Sequence, residues 1–452
     1  MKKLLLILAT ALAVTSCSED DFGTGGNGLQ AVSHQVTLKY ADDNLSGVLV
    51  DGGMVKLTNT NTGDIIEGTT NANGIVNFNQ LLPGTYNITA SKNLSASVFA
   101  ELFGYSAPSS EVVFNGVADN VVVNINLNAT VIELKAARLG DLVIKQIYYA
   151  GSHTTQGASF RDQFIEIYNN SNETIYADGL YIALLQTKNN TTVTSFSLAN
   201  GQYDWSKSIG LQGMGNAANT DYVYADYVVQ IPGGGRQYPI LPGASIVVAS
   251  SALNHKSPLV DLTGNPININ NPDLTVDLSG ADFEAYLGDF RISIGEEPYK
   301  YDIENPAVPN LNIAYWGRPG YYGGNKDLLM DALGRDSYII FRASDFALYQ
   351  NYSQPDVTEI VSATKFCVQI PVSVIIDGVD TQNFNQASPR PKCLPSEIDA
   401  SYTATDASYN SQSVIRKTKE IAPDGRIILL DSNNSATDFV KLNRANPRGF
   451  AN

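Results

Sequence analysis

The stretch richest in residues able to hold a ligand runs from Tyr299-Lys300-Tyr301 to Tyr315-Trp316-Gly317-Arg318-Pro319-Gly320-Tyr321-Tyr322-Gly323-Gly324. It joins one of the two tryptophans to a tyrosine pair and an arginine, in a Gly/Pro setting that favours loops. Exposed aromatic faces stack on sugars or flat organic ligands, and Arg318 can pair with a carboxylate or lie on a ring. Tyr315, Trp316, Arg318, Tyr321 and Tyr322 are therefore the candidate binding residues. The competing reading makes Tyr315 and Trp316 strand-core residues and residues 321–324 a turn, because aromatic side chains are most often structural. A second aromatic group is Trp205 with Tyr203, Tyr222, Tyr224 and Tyr227, where strand packing at alternate positions explains Tyr222 and Tyr224 equally well.

Catalytic chemistry is not picked out by spacing. The acidic series Asp273, Asp277, Asp282, Glu284 and Asp289 lacks the 12-residue calcium-loop pattern. Glycoside hydrolysis needs two carboxyls within about 5–10 Å of each other, and no pair stands out along the chain. Gly233-Gly234-Gly235 precedes Arg236 rather than a helix, so it makes a poor phosphate cradle. His34, His153 and His255 lie far in sequence from Cys367 and Cys393. The expectation is a non-enzymatic chain without cofactor or metal.

The N-terminus reads Met1-Lys2-Lys3, an apolar run from Leu4 to Val14, then Thr15-Ser16-Cys17. Two lysines, a short apolar stretch and small residues before a cut site make residues 1–16 a secretory signal peptide. The run is too short for a permanent bilayer span, which needs roughly 20 residues. Val14-Thr15-Ser16-Cys17 resembles the lipobox of bacterial lipoproteins, which implies acylation of Cys17 and attachment to membrane lipid. Two or three acyl chains suffice for stable anchoring. Ser18-Glu19-Asp20-Asp21 resembles the export tether of Bacteroidota surface lipoproteins, which implies display at the outer membrane; a plain solvated acidic linker is the alternative. Residues 17–32, rich in Gly and Asn, read as a flexible tether.

Formal charge is −16, and loss of Lys2 and Lys3 makes the mature chain two units more negative. Such a balance excludes nucleic acid as an expected partner, since phosphates must be neutralised by Lys and Arg. An apolar fraction of 43% with only 16% charged residues allows proper cores and argues against disorder. With Cys17 lipidated, Cys367 and Cys393 are expected to pair in an oxidising compartment, with free buried thiols as the alternative.

These features must be positioned by strands. Residues 33–128 hold alternating runs at Gln35–Lys39, Met54–Leu57, Ile75–Phe78, Thr85–Ala90 and Asn120–Leu127. Turn signals Asp51-Gly52-Gly53, Asn73-Gly74 and Pro83-Gly84 separate them, which predicts an antiparallel β-sandwich. The phrases Gly68-Thr69-Thr70-Asn71-Ala72-Asn73-Gly74-Ile75-Val76-Asn77-Phe78 and Leu82-Pro83-Gly84-Thr85-Tyr86 resemble carboxypeptidase regulatory-like (transthyretin-like) domains. That resemblance implies a Greek-key stalk without an active site, its core anchored by Phe78 and Tyr86. Residues 129–139 read as a connector carrying helix formers, or else as a strand continuation.

The unit 140–452 opens on Leu142–Gly151, Asp162–Asn170 and Thr174–Ile182. Asp162-Gln163-Phe164-Ile165-Glu166-Ile167-Tyr168-Asn169 and Asp178-Gly179-Leu180-Tyr181-Ile182 resemble the opening of lamin-tail domains, an immunoglobulin-like sandwich. Leu241-Pro242-Gly243 through Ala249 and Asp431-Ser432-Asn433-Asn434 through Asp438-Phe439 resemble that family's later turn and its closing loop. The resemblance implies that Glu166 ties down a neighbouring loop. Asp431 and Asp438 suit local backbone capping, with cation ligation as the alternative. The unit is three times the usual size, and the surplus is expected as insertions at about 186–240 and 251–336, where a ligand surface is anticipated. The expected fold is therefore all-β: a transthyretin-like Greek-key sandwich, then an immunoglobulin-like (lamin-tail-like) sandwich with large insertions. The arrangement as a whole also resembles an uncharacterised family of Bacteroidota outer-membrane lipoproteins, which implies location and architecture, not activity. Three functions follow as expectations: a binding or accessory module for glycan capture or for a TonB-dependent-type outer-membrane transporter, an adhesive scaffold, or a hydrolase whose site spacing does not reveal.

Overall fold

Alternating apolar positions decide the first unit. Val36, Leu38 and Tyr40 point inward from β1 (Val32–Tyr40), while Gln35, Thr37 and Lys39 face outward. Six more strands follow: β2 (Met54–Asn59), β3 (Ile65–Thr69), β4 (Ile75–Leu81), β5 (Gly84–Ser95), β6 (Glu111–Val123) and β7 (Ala129–Ala136). They form one sheet in the order β3-β2-β5-β6-β7-β1-β4. Val55, Leu57, Ile88, Val123 and Leu134 are sealed in its core, each worth about 1.5–3 kcal/mol of burial. In the hairpin before β4, Gly74 sits at φ 73° and its N–H donates to Asn71 O, as the Asn-Gly pair predicts. Phe78 and Tyr86 are buried, and the Tyr86 hydroxyl donates back to Leu82 O at 2.9 Å.

The computed structural model describes residues 30–41, 47–103, 111–136, 141–317, 326–385 and 387–451. The expected signal peptide 1–16, Cys17 and nearly all of the tether lie outside the described residues.

Two boundaries of the first unit differ from expectation. Of the two readings of 129–139 the strand continuation holds: residues 129–136 are β7, in parallel register with β1 over six residue pairs. Its helix formers are overridden because Ile132 and Leu134 complete the core. The alternation Val121, Val123, Ile125, Leu127 also breaks. β6 ends at Val123, since the Asn124 side chain accepts from the N–H groups of Asn126 and Leu127 and turns the chain.

The second unit is a two-sheet sandwich. One sheet runs β17 (Phe283–Glu284), β14 (Ser245–Ala249), β9 (Phe164–Asn169), β8 (Leu142–Tyr148), β23 (Ser413–Arg416), β26 (Phe439–Leu442). The facing sheet runs β20 (Asn351–Ser353), β21 (Phe366–Pro371), β12 (Tyr222–Gln230), β11 (Tyr181–Leu185), β19 (Ser337–Phe341), β22 (Ile375–Asp380), with β18 (Asn312–Trp316) beside β12. Short ribbons β10 (Ile175–Tyr176) with β13 (Pro239–Ile240), β15 (Leu259–Val260) with β16 (Pro266–Ile267), and β24 (Thr418–Ile421) with β25 (Ile427–Leu429) decorate it. Ile144, Ile167, Ile182, Val229, Trp316 and Ile340 meet between the sheets. All seven residues of β8 and all six of β9 are buried, so these strands are covered on both faces. Val276, Leu278 and Val308 supply the outer cover. The predominantly β architecture and its sandwich layers match the fold class read from the sequence.

The size surplus is thus spent largely on covering outer faces. One expected insertion, 186–240, contains β12, a central strand that pairs with β11, β18 and β21. The two units touch: the Asn115 amide donates to Ser432 O at 2.9 Å, and Lys135 reaches Glu397 at 3.3 Å.

Candidate functional site

Trp316 and Tyr315 belong to the core, which corrects their assignment as binding residues. Trp316 is 5% exposed and packs on Tyr227 with ring centroids 4.5 Å apart; Tyr315 is 9% exposed and its hydroxyl donates to Phe366 O at 2.8 Å. Neighbouring residues of β18 face opposite sides of the sheet, and both sides are covered here. Arg318, Tyr321 and Tyr322 lie outside the described residues. Trp205 is likewise interior, stacked on Tyr224 at 3.7 Å.

The expected Cys367–Cys393 disulfide is also corrected: both thiols are free. Val368 and Ile370 of β21 face one core while Cys367, in the alternate position, joins Trp205 and Tyr224 on the other side. Cys393 packs on the Val368 side. The sheet stands between the two sulfurs, and burial pushes the Cys393 thiol up to about 12.

Asp431 and Asp438 serve a guanidinium rather than a cation. Arg416 Nη1 lies 3.0 Å from Asp431 and 3.2 Å from Asp438, and Nη2 lies 2.8 Å from Asp377 on the facing sheet. Nε donates to Ile144 O at 3.1 Å, and Nη1 also reaches Leu430 O at 3.2 Å. Among the described residues no cluster of three or more His, Cys, Asp or Glu could hold a metal. Glu166 is a second tie point. It accepts from Lys145 (2.9 Å), Ser245 (2.5 Å) and the N–H of Arg448 (3.1 Å), which fastens the C-terminal segment.

One arginine behaves differently. Arg161 is half-buried, its Nε is sealed from solvent without an acceptor, and its guanidinium makes no hydrogen bond or ion pair among the described residues. It lies over the Tyr301 ring at 5.4 Å and near the Phe160 ring at 5.8 Å, while Tyr299 meets Tyr301 edge-on at 5.5 Å. Lys300 sits 4.4 Å from the same Tyr301 ring and 3.6 Å from Asp261. Tyr299, Lys300 and Tyr301 are all only partly buried.

The loop that carries Arg161 is pinned. Ser152 N–H donates to Ser159 O, and Ala158 N–H donates to Ser152 Oγ at 2.6 Å. Gly151 has φ 67°, and a Cβ there would lie 2.4 Å from Ser159 O, so glycine is required. Asp162, directly after Arg161, is held by the hydroxyls of Tyr148 (3.1 Å) and Thr275 (2.6 Å).

Beneath the rings lie three acids. Asp302 accepts the Leu287 N–H at 2.9 Å through one oxygen, and its other oxygen has no partner. Asp327 also carries an unpartnered, sealed oxygen. Glu284 accepts from Ala252 and Asn305 amides. Burial raises all three carboxyls, to about 7 for Asp302 and about 8 for Glu284. At neutral pH Asp302 and Glu284 are largely or partly protonated, so the nearby arginine keeps its positive charge only partly offset. Sequence reading reached Tyr299, Lys300 and Tyr301 but passed over Arg161, whose sole signal is an aromatic-arginine pair placed immediately before a strand.

Residues 241–446 match the family model described as a protein of unknown function, DUF4876. That segment contains the Tyr299–Tyr301 side of the cluster and not Arg161. Among solved structures, a DUF4876 family protein from Bacteroides thetaiotaomicron matches at TM-score 0.51 and 23% identity, over 90% of this chain and 94% of that one. The two share a fold. A DUF3823 family protein from Parabacteroides merdae matches at TM-score 0.15 and 11% identity, over 34% of this chain and 67% of that one, too remote to carry an argument. No curated protein matches the chain.

Proposed function

We propose that this chain is a non-enzymatic, lipid-anchored surface protein of the outer membrane that captures a saccharide, as an accessory to glycan or nutrient uptake. The observation that carries this reading is the half-buried group of Phe160, Tyr299 and Tyr301 about Arg161, which has no hydrogen-bond or ion-pair partner among the described residues. Aromatic faces match the C–H faces of sugars, and a free guanidinium supplies directed donors. The carboxyls below are sealed, with Glu284 and Asp302 at 0–1% exposure, which favours a binding role over hydrolysis. Export and acylation at Cys17 rest on the lipobox resemblance, and the transthyretin-like and lamin-tail-like domain types rest on the motifs quoted above. A TonB-dependent-type transporter is the partner class that fits a tethered capture module.

A glycan array probed with the full chain in detergent, beside its Tyr301→Ala variant, tests the reading. Saccharide binding that is lost in the variant, with the thermal midpoint preserved, is the expected result. Absence of any signal from the native protein would turn the interpretation towards an adhesive scaffold.

A further inference from the structure

We infer that Arg161 is the docking point for the oxyanion of an acidic saccharide, a uronic-acid carboxylate held by the guanidinium while the sugar ring lies against Tyr299 and Tyr301. The inference rests on the saccharide-capture reading and narrows it to a charge class.

Three observations converge. First, the guanidinium carries five N–H donors in a fixed fork and none meets an acceptor among the described residues; its Nε is sealed, which leaves the two terminal nitrogens for a ligand. A half-buried cation without partners carries a standing desolvation penalty, and burial does push the Arg161 pKa down. An arriving oxyanion offsets that penalty in the complex alone. Second, the fork is held in place beforehand. The Gly151–Arg161 loop is stitched by Ser152 to Ser159 and Ala158, and the guanidinium rests between Phe160 and Tyr301, so little rotamer freedom remains to be lost. Third, two charged groups set against the Tyr301 ring are Arg161 and Lys300, both cationic. The acids nearby are engaged or sealed: Asp162 by Tyr148 and Thr275, Asp261 by Thr263 and Lys300, Asp302 by the Leu287 amide, while Asp327, which also acts on Arg161, is buried with one oxygen unpartnered. Arg161 therefore keeps a guanidinium without a hydrogen-bond or ion-pair partner in this cluster, among the described residues.

Carboxylates and sulfate esters present the same oxyanion edge, so the test separates them. Isothermal titration of the full chain would use four probes: a galacturonate trimer, its methyl ester, a neutral galactose trimer and a sulfated galactose trimer. The carboxylate form should bind, and esterification should weaken it by roughly ten- to a hundredfold, the value of a charge-assisted hydrogen bond. Arg161→Gln should bring the same loss for the acid and leave the ester unchanged, while Arg161→Lys should recover part of it. A sulfated trimer that outbinds the carboxylate would move the site to sulfated glycans and overturn the carboxylate assignment. Equal binding of acid and ester, or undiminished binding by Arg161→Gln, would overturn the inference while leaving saccharide capture intact. Binding of no probe at millimolar concentration would overturn it too, and a blank glycan array beside that result would remove the capture reading as well.

Discussion

Arg416 and Arg161 both sit among acids in the second unit, and they are organised in opposite ways. Arg416 is fully buried and saturated: three carboxylates and two backbone carbonyls meet its nitrogens, drawn from both sheets and from the closing loop. Arg161 is half-buried and has no hydrogen-bond or ion-pair partner among the described residues, and its nearest acids are bonded elsewhere or sealed. A buried ion network with every donor satisfied fixes a structure, whereas a rigid donor set left empty is open to a ligand. The contrast separates residues that hold the sandwich together from those proposed to bind.

The largest expected effect comes from breaking the saturated side. Arg416→Ala leaves Asp377, Asp431 and Asp438 buried without their counter-charge and should destabilise the fold by about 3–5 kcal/mol. Urea denaturation followed by tryptophan fluorescence reads this directly, since Trp205 and Trp316 are both interior. A loss below about 1 kcal/mol, the value of an exposed ion pair, would show that the network is solvated and would erase the contrast.

A smaller effect separates the acids beneath Arg161 from ordinary carboxylates. Glu284 is raised to about 8 by burial, so the folded chain holds a proton there that the unfolded chain releases above the usual carboxylate range. Between about pH 4.5 and 8 the native state binds more protons at this group, and its contribution makes stability fall as pH rises, by at most about 1.4 kcal/mol per pH unit. Glu284→Gln removes this proton from the balance, so the decline of the urea midpoint with pH should become shallower in that window. An identical slope in the variant would mean that Glu284 is ionised in the folded protein, with the Ala252 and Asn305 amides prevailing over burial.

Much of the frame was legible because it rests on local signals. Asn73-Gly74 reads as a hairpin from two residues, and the runs Phe164–Asn169 and Ser245–Ala249 are apolar enough to be strands in any context. β12 was hidden inside an expected insertion, since Tyr222, Tyr224 and Tyr227 change face across the irregular register at Leu184/Leu185 and so break the alternation. β7 reads from the sequence as either a connector or a strand continuation, because its partner β1 lies nearly a hundred residues earlier and only that pairing decides against helix propensity. Trp316 looked like a surface anchor because neither side's cover could be seen from a single strand. The cysteines looked pairable because sequence distance carries no information about which face of β21 each one occupies. Arg161 was missed for a deeper reason: its distinguishing property is a lack of partners, and a sequence displays residues, not unfilled hydrogen bonds.

The smallest expected effect is therefore the most discriminating. If Arg161 is held for a ligand and not for the fold, Arg161→Gln should change stability by no more than about 1 kcal/mol, because no hydrogen bond or ion pair is broken and a partly desolvated charge is removed. The neutral amide keeps most of the side chain's contact with Phe160 and Tyr301, so packing is largely preserved. The thermal midpoint of the variant, taken beside that of Arg416→Ala under the same conditions, gives the comparison directly. Two arginines with equal costs would place Arg161 in the structural network with Arg416. A near-zero cost at Arg161 combined with loss of acidic-saccharide binding would divide the two roles at the level of single side chains.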